Sequence, residues 1–193
     1  ARLTPYPDPV AAAAAAVAGG ADSITVHLRE DRRHIQERDV LLLRDSLRVP
    51  LNLELAVTPG MLEFARKVHP RFCCLVPERR EELTTEGGLN VADQLPRITD
   101  ACAQLRAAGI RVSLFIDPAP RQVDAARECG APAIELHTGA YADAADAAAR
   151  GRELGIIRQA TAHGMRLGLH INAGHGLNYD NIQPIARIPG LRE

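Results

Sequence analysis

Leu51-Asn52-Leu53-Glu54-Leu55-Ala56-Val57-Thr58-Pro59 joins an apolar run, with one carboxylate inside it, directly to the start of a helix. Near-continuous apolar character over 51–57 predicts a strand covered on both faces. Thr58-Pro59 then starts a helix, with the proline in its first turn. The same unit recurs on either side. Strands are expected over 23–28, 71–76, 110–116, 133–137 and 165–172, each rich in Val, Ile, Leu or Phe. Helices are expected over 10–18 behind Asp8-Pro9, 39–47, 59–69, 91–108 with its regular part starting near Pro96, 119–129, 142–163, and a short one between 179 and 188. Strands alternating with helices give a parallel sheet clothed by helices, either doubly wound or closed as a (β/α) barrel.

The polar residues separate those two outcomes. Almost every strand ends in a chemically useful group: His27, Glu54, Asp117, His137-Thr138, and Asn172 with His175 just beyond. In a barrel all strand C-termini meet at one mouth, whereas in an open sheet only those near the switch point do. A single TIM-barrel domain over 1–193 is therefore expected. About six strands are visible where the (β/α)8 barrel has eight and ~250 residues. The expected repair is a barrel lacking its first strand and its last strand with the helix that follows.

Composition narrows the function. Apolar residues are 46% and charged residues 24% of the 193, ordinary for a globular protein and unlike a disordered or collagenous chain. The 23 basic and 24 acidic side chains leave a net charge of -1, so no broad positive field is present for nucleic acid or an anionic membrane. Aromatics are 3%, too few for base-stacking platforms. The alanine-rich run over 10–18 is too short to span a bilayer, has no basic leader and ends at Gly19-Gly20, so neither an anchor nor a signal peptide is expected. Cys73, Cys74, Cys102 and Cys129 form no C-x-x-C pair and read as buried, reduced thiols of a cytoplasmic protein.

Four stretches carry chemistry. His27-Leu28-Arg29-Glu30-Asp31-Arg32-Arg33-His34 offers the clustered Arg and His donors that a phosphate requires, and is equally compatible with a solvated loop of internal ion pairs. Alternation puts His27 on the Thr25 face, directed into a barrel or toward its helices. Glu54, inside an apolar strand, is a candidate general base; a buried Glu–Arg pair is the alternative. Thr84-Thr85-Glu86-Gly87-Gly88 could let backbone N–H groups approach a phosphate, or be an ordinary turn. Asn172-Ala173-Gly174-His175-Gly176 sets an imidazole between two glycines directly after a strand, an arrangement suited to proton transfer beside a ligand. His27, Glu54, Asp117, His137 and His175 could also assemble a metal site for an aldolase or hydrolase, although no H-x-H or H-E-x-x-H spacing supports it.

Taken with Tyr6-Pro7-Asp8-Pro9, Asn52-Leu53-Glu54, Phe72-Cys73-Cys74-Leu75-Val76-Pro77-Glu78 and Ser113-Leu114-Phe115-Ile116-Asp117, these stretches make the chain resemble the pyridoxine 5'-phosphate synthase family over its whole length and in the same order. The resemblance implies a cytoplasmic barrel enzyme of de novo vitamin B6 synthesis. It would condense 1-deoxy-D-xylulose 5-phosphate with 3-amino-2-oxopropyl phosphate, closing a pyridine ring with loss of phosphate and water. By the same resemblance His27 and Glu54 are proton acceptors and His175 a proton donor. Arg29, His34 and Thr84 match positions holding the deoxyxylulose phosphate, and Arg2 and Gly176 positions holding the amino-ketone phosphate. No metal or organic cofactor is implied. The partners implied are two small phosphorylated substrates and, for the complete protein, further copies of the chain in an octamer.

Two family features are not matched. An Asn-x-Asp-His stretch at the end of the family's first strand has no counterpart here, and the family's Gly-His pair on the last strand lies past Glu193. A polypeptide of these residues alone is expected to be weakly stable and nearly inactive, with two unpaired sheet edges.

Overall fold

The computed structural model describes residues 8–84 and 87–193. Six strands form one sheet in the order β1-β2-β3-β4-β5-β6, every neighbouring pair parallel. They are β1 (Ile24–His27), β2 (Leu51–Leu55), β3 (Phe72–Leu75), β4 (Arg111–Ile116), β5 (Ala133–His137) and β6 (His170–Gly174). The helices are α1 (Pro9–Ala18), α2 (Glu37–Ser46), α3 (Pro59–Val68), α4 (Leu95–Ala107), α5 (Pro120–Glu128), α6 (Gly139–Ala142), α7 (Ala147–Arg166) and α8 (Ile182–Ala186). A 3-10 turn, Arg80–Glu82, precedes α4.

Parallel register produces two unlike faces. Leu55, Leu75, Leu114, Ile134 and Ile171 fall on one line across the sheet, all buried in the apolar core shared with the helices. On the other face His27 pairs with Glu54, Glu54 with Cys74, and Cys74 with Ser113; one step on, Phe115 pairs with Glu135 and Glu135 with Asn172. The face bearing His27 therefore looks away from the helices. The sheet curls about this polar side as a half-barrel: Ser23, just before β1, donates its hydroxyl to Glu193 beside β6 at 3.0 Å.

The last residues also pair with the sheet. Leu191 bridges Ile171 in parallel, Arg192 N–H donates to the Ile171 carbonyl at 2.9 Å, and Ala173 N–H donates to the Glu193 carbonyl at 3.0 Å. Residues 191–193 thus lie alongside β6 in parallel pairing.

Side-chain capping sets the start of three helices. Asp8 accepts the Val10 and Ala11 N–H groups at 2.9 and 3.3 Å ahead of Pro9, which starts α1 as anticipated. Helix α2 begins at Glu37 rather than 39, because Asp39 reaches back to accept the Gln36 N–H at 2.9 Å. The single helix expected over 142–163 is two. Asp146 caps α7 by accepting the Ala149 N–H at 2.7 Å, which starts a new helix after the short α6. The final strand begins at His170, not 165, since α7 runs to Arg166 and Gly168, at φ +79°, turns the backbone before any strand can form.

Candidate active site

The C-terminal ends of β1, β2, β4 and β5, with the loop after β6, enclose a cleft of about 330 Å³. His27, Glu54, Glu135, His137 and His175 all line it, and Arg29 stands at its edge. Three of these, His27, Glu54 and His175, are the acid–base candidates of the sequence, and the fold brings them to one cavity.

His27 ends β1 with its ring between two carboxylates. Nε2 lies 3.0 Å from Glu78 Oε1, while Nδ1 is 3.9 Å from Glu54 Oε2, too far for a direct hydrogen bond. Burial raises the Glu54 pKa above the ordinary carboxylate range, and the positive fields of His27 and His175 partly oppose that. Glu135 sits deeper on the same face. Burial, then repulsion from Glu54 and Glu193, pushes its carboxyl up to about 7, against a weak pull from the Cys74 thiol at 3.9 Å. The cleft thus holds two carboxyl groups that resist ionising together, as a site required both to take and to give protons near neutral pH needs. Residue-level reading missed Glu135 and Glu78. Glu135 carried the same signal as Glu54, a carboxylate between two apolar residues of a strand; Glu78 carried none.

His175 adopts φ +86°, a left-handed conformation unusual for a side chain bearing a Cβ. Thr138 holds the loop in place, its hydroxyl 2.7 and 2.6 Å from the Gly174 and His175 carbonyls. The imidazole stacks on His137 at 4.7 Å with 25° between planes, and Phe115 meets His137 edge-on at 5.0 Å. Burial and then the neighbouring His175 lower the His137 pKa, and Asp117 and Asp143 partly oppose them. A Cβ at Gly174 would run into the Glu135 carboxylate.

The residues matched to phosphate positions are less uniformly placed. Arg29 lines the cleft but spends its guanidinium on Asp31, at 3.2 Å. His34 is exposed and outside the lining residues. The Thr84 hydroxyl hydrogen-bonds to the buried Asp117 carboxylate, which also accepts the Gly88 N–H at 3.0 Å. Leu83 and Gly87, on either side of that contact, reach the cleft. Gly176 is exposed at φ +74° beside His175. Arg2, Thr85 and Glu86 lie outside the described residues. Among the described residues no three His, Cys, Asp or Glu side chains are grouped to hold a metal ion, and no helix is long and apolar enough to cross a membrane.

Residues 1–193 match the family model described as pyridoxal phosphate biosynthesis protein PdxJ. The chain belongs to this family. Solved structures resemble it in fold. A HpcH/Hpal aldolase/citrate lyase family protein from Burkholderia cenocepacia J2315 matches with a TM-score of 0.58 at 15% identity, over 94% of this chain and 81% of that one. A monomeric form of phosphoribosylanthranilate isomerase from Thermotoga maritima matches with a TM-score of 0.59 at 16% identity, over 94% and 78%. A xylose isomerase domain protein from Planctomyces limnophilus matches with a TM-score of 0.50 at 16% identity; the match covers 74% of this chain and spans 61% of that protein's length. At such identities the likeness is one of architecture, and membership of the PdxJ family places the chain in pyridoxal phosphate biosynthesis.

Proposed function

We propose that this chain carries the acid–base centre of a pyridoxine 5'-phosphate synthase, which joins 1-deoxy-D-xylulose 5-phosphate to 3-amino-2-oxopropyl phosphate. The observation supporting this most directly is the convergence of His27, Glu54 and His175, with Glu135, on one cleft at the strand ends.

The chemistry asks for such a set. The substrate amine adds to a ketone and loses water to form an imine. A proton must then leave a carbon next to the imine or carbonyl, a phosphate must depart, and a carbon–carbon bond must close the ring before the last water is lost. Each step moves a proton at a carbon or an oxygen, and a positioned side chain contributes about 10²–10⁴-fold to such a transfer. His27 Nδ1 and Glu54 face the cleft as acceptors. His175, on its strained loop, is the donor to departing oxygens. Glu135, its carboxyl raised to about 7, keeps a protonated population at neutral pH that can donate to an oxygen on which negative charge develops. Arg29 would exchange Asp31 for one substrate phosphate, and the Gly87-Gly88 and Gly174–Gly176 turns leave backbone room near the other reacting groups.

The decisive experiment is Glu54→Gln in the full-length polypeptide, assayed for ring closure. We expect kcat to fall by about 10³-fold with an unchanged melting temperature. Turnover within a factor of about two of the parent would remove Glu54 from the mechanism and with it this reading of the cleft.

A further inference from the structure

Glu78 follows β3 and lies outside the set just assigned. Its side chain is only 4% exposed, and a carboxylate so placed must be fully hydrogen-bonded to stay charged. It is. Oε1 faces His27 Nε2 at 3.0 Å, and Oε2 accepts the Glu30 backbone N–H at 2.9 Å. The backbone that carries it is pinned from behind. The Glu78 and Arg79 N–H groups donate to one oxygen of the buried Glu82 carboxylate at 3.0 and 3.2 Å, and Arg97 of α4 donates to the other at 2.9 Å. Arg97 also donates to the Val57 carbonyl, at the end of the segment that carries Glu54. Glu78 is therefore aimed at His27 by a connected set of bonds reaching from the helical layer to the rim of the sheet.

A neutral imidazole has one N–H and one lone pair, and the partner of one nitrogen decides the state of the other. An ionised Glu78 can only accept, so the His27 proton must sit on Nε2. Nδ1 then carries the lone pair, and it points toward the gap before Glu54, where at 3.9 Å no direct hydrogen bond engages it.

We infer that Glu78 is the positioning residue for His27: it locks the ring as the Nε2–H tautomer and presents Nδ1 as the proton-accepting atom. The catalytic consequence rests on the function proposed above, but the tautomer itself does not, so the two can fail separately.

The test uses the full-length protein with histidine labelled by nitrogen-15, at a pH where the His27 ring is neutral. Long-range proton–nitrogen correlation spectra are assigned by comparison with His27→Asn. The parent should show His27 as a single Nε2–H tautomer, and Glu78→Ala should convert it to a mixture with a clear Nδ1–H population. In turnover, Glu78→Ala should lower kcat about 100-fold while KM moves less than about threefold. Glu78→Gln keeps the volume and one acceptor oxygen, so it remains informative if the alanine variant does not fold; its tautomer ratio should lie between those of the parent and Glu78→Ala. A parent ring protonated on Nδ1 alone or on both nitrogens would overturn the inference, as would an alanine or glutamine variant with the parent's tautomer. A parent with the expected tautomer but no synthase turnover would leave the geometry standing and sink the proposed function instead.

Discussion

The cleft gathers charge that water would otherwise disperse, and single residues register the consequence. Glu135 is the clearest case, its carboxyl raised from an ordinary 4.5 to about 7 by burial and by Glu54. The folded chain thus holds that proton more tightly than the unfolded one. Well below pH 4.5 both states are protonated and the contribution is intact; as pH rises toward about 7 the unfolded chain gives up this proton first, so the contribution is lost by the time the folded carboxyl ionises. Glu135→Gln has no proton to lose. It should match the parent in thermal melts at low pH and exceed it above pH 7 by about 2–3 kcal/mol, while losing turnover. His175 makes the complementary case for strain, since φ +86° suits glycine. His175→Gly should gain about 1 kcal/mol in urea unfolding and lose the donor function, the trade common to residues held in costly conformations for their chemistry. Glu54 was legible in the sequence because a carboxylate in an apolar strand has few dull explanations, and Glu135 obeyed the same rule. Glu78 was not legible. Its partner His27 is 51 residues distant, and nothing local distinguishes it from any other glutamate after a proline.

At the scale of elements, residues 83–84 and 87–89 are fastened beside the site. Leu83 and Leu89 form an antiparallel bridge, Leu89 N–H donates to the Phe115 carbonyl at 2.8 Å, and the Asp117 carboxylate takes Thr84 and Gly88 together. Gly88 is obligatory there, because a Cβ would lie 2.5 Å from the Asp117 backbone nitrogen. Asp117 thus fastens Thr84 and Gly88 rather than lining the cleft. Asp117→Ala should cost about 1–3 kcal/mol by leaving a buried N–H without its acceptor, measured by denaturant unfolding, and should raise KM for a phosphorylated substrate more than it lowers kcat. Element types were readable from apolar period and capping residues. Boundaries were not: after α6 ends at Ala142, Asp146 caps a new helix, and Gly168 delays β6.

Across the whole molecule, the sequential parallel order of six strands turns one face of every strand toward the helices and the other toward a shared interior. All four cysteines are buried, and burial raises the pKa of each, that of Cys102 to about 12. A thiol reagent at pH 8 should modify none of them in the native protein and all of them once it is unfolded, because the reactive species is the thiolate; rapid native labelling would contradict this core. From the sequence alone came the alternation of strand and helix, the barrel class and the candidates His27, Glu54 and His175, since apolar period and strand-end chemistry are local properties of the chain. Tertiary structure alone settled that Glu78 faces His27, that Glu135 shares the cleft with Glu54, and that Asp117 holds Thr84 and Gly88 together. Those contacts depend on sheet register and curvature, which bring together residues that no spacing along the chain connects.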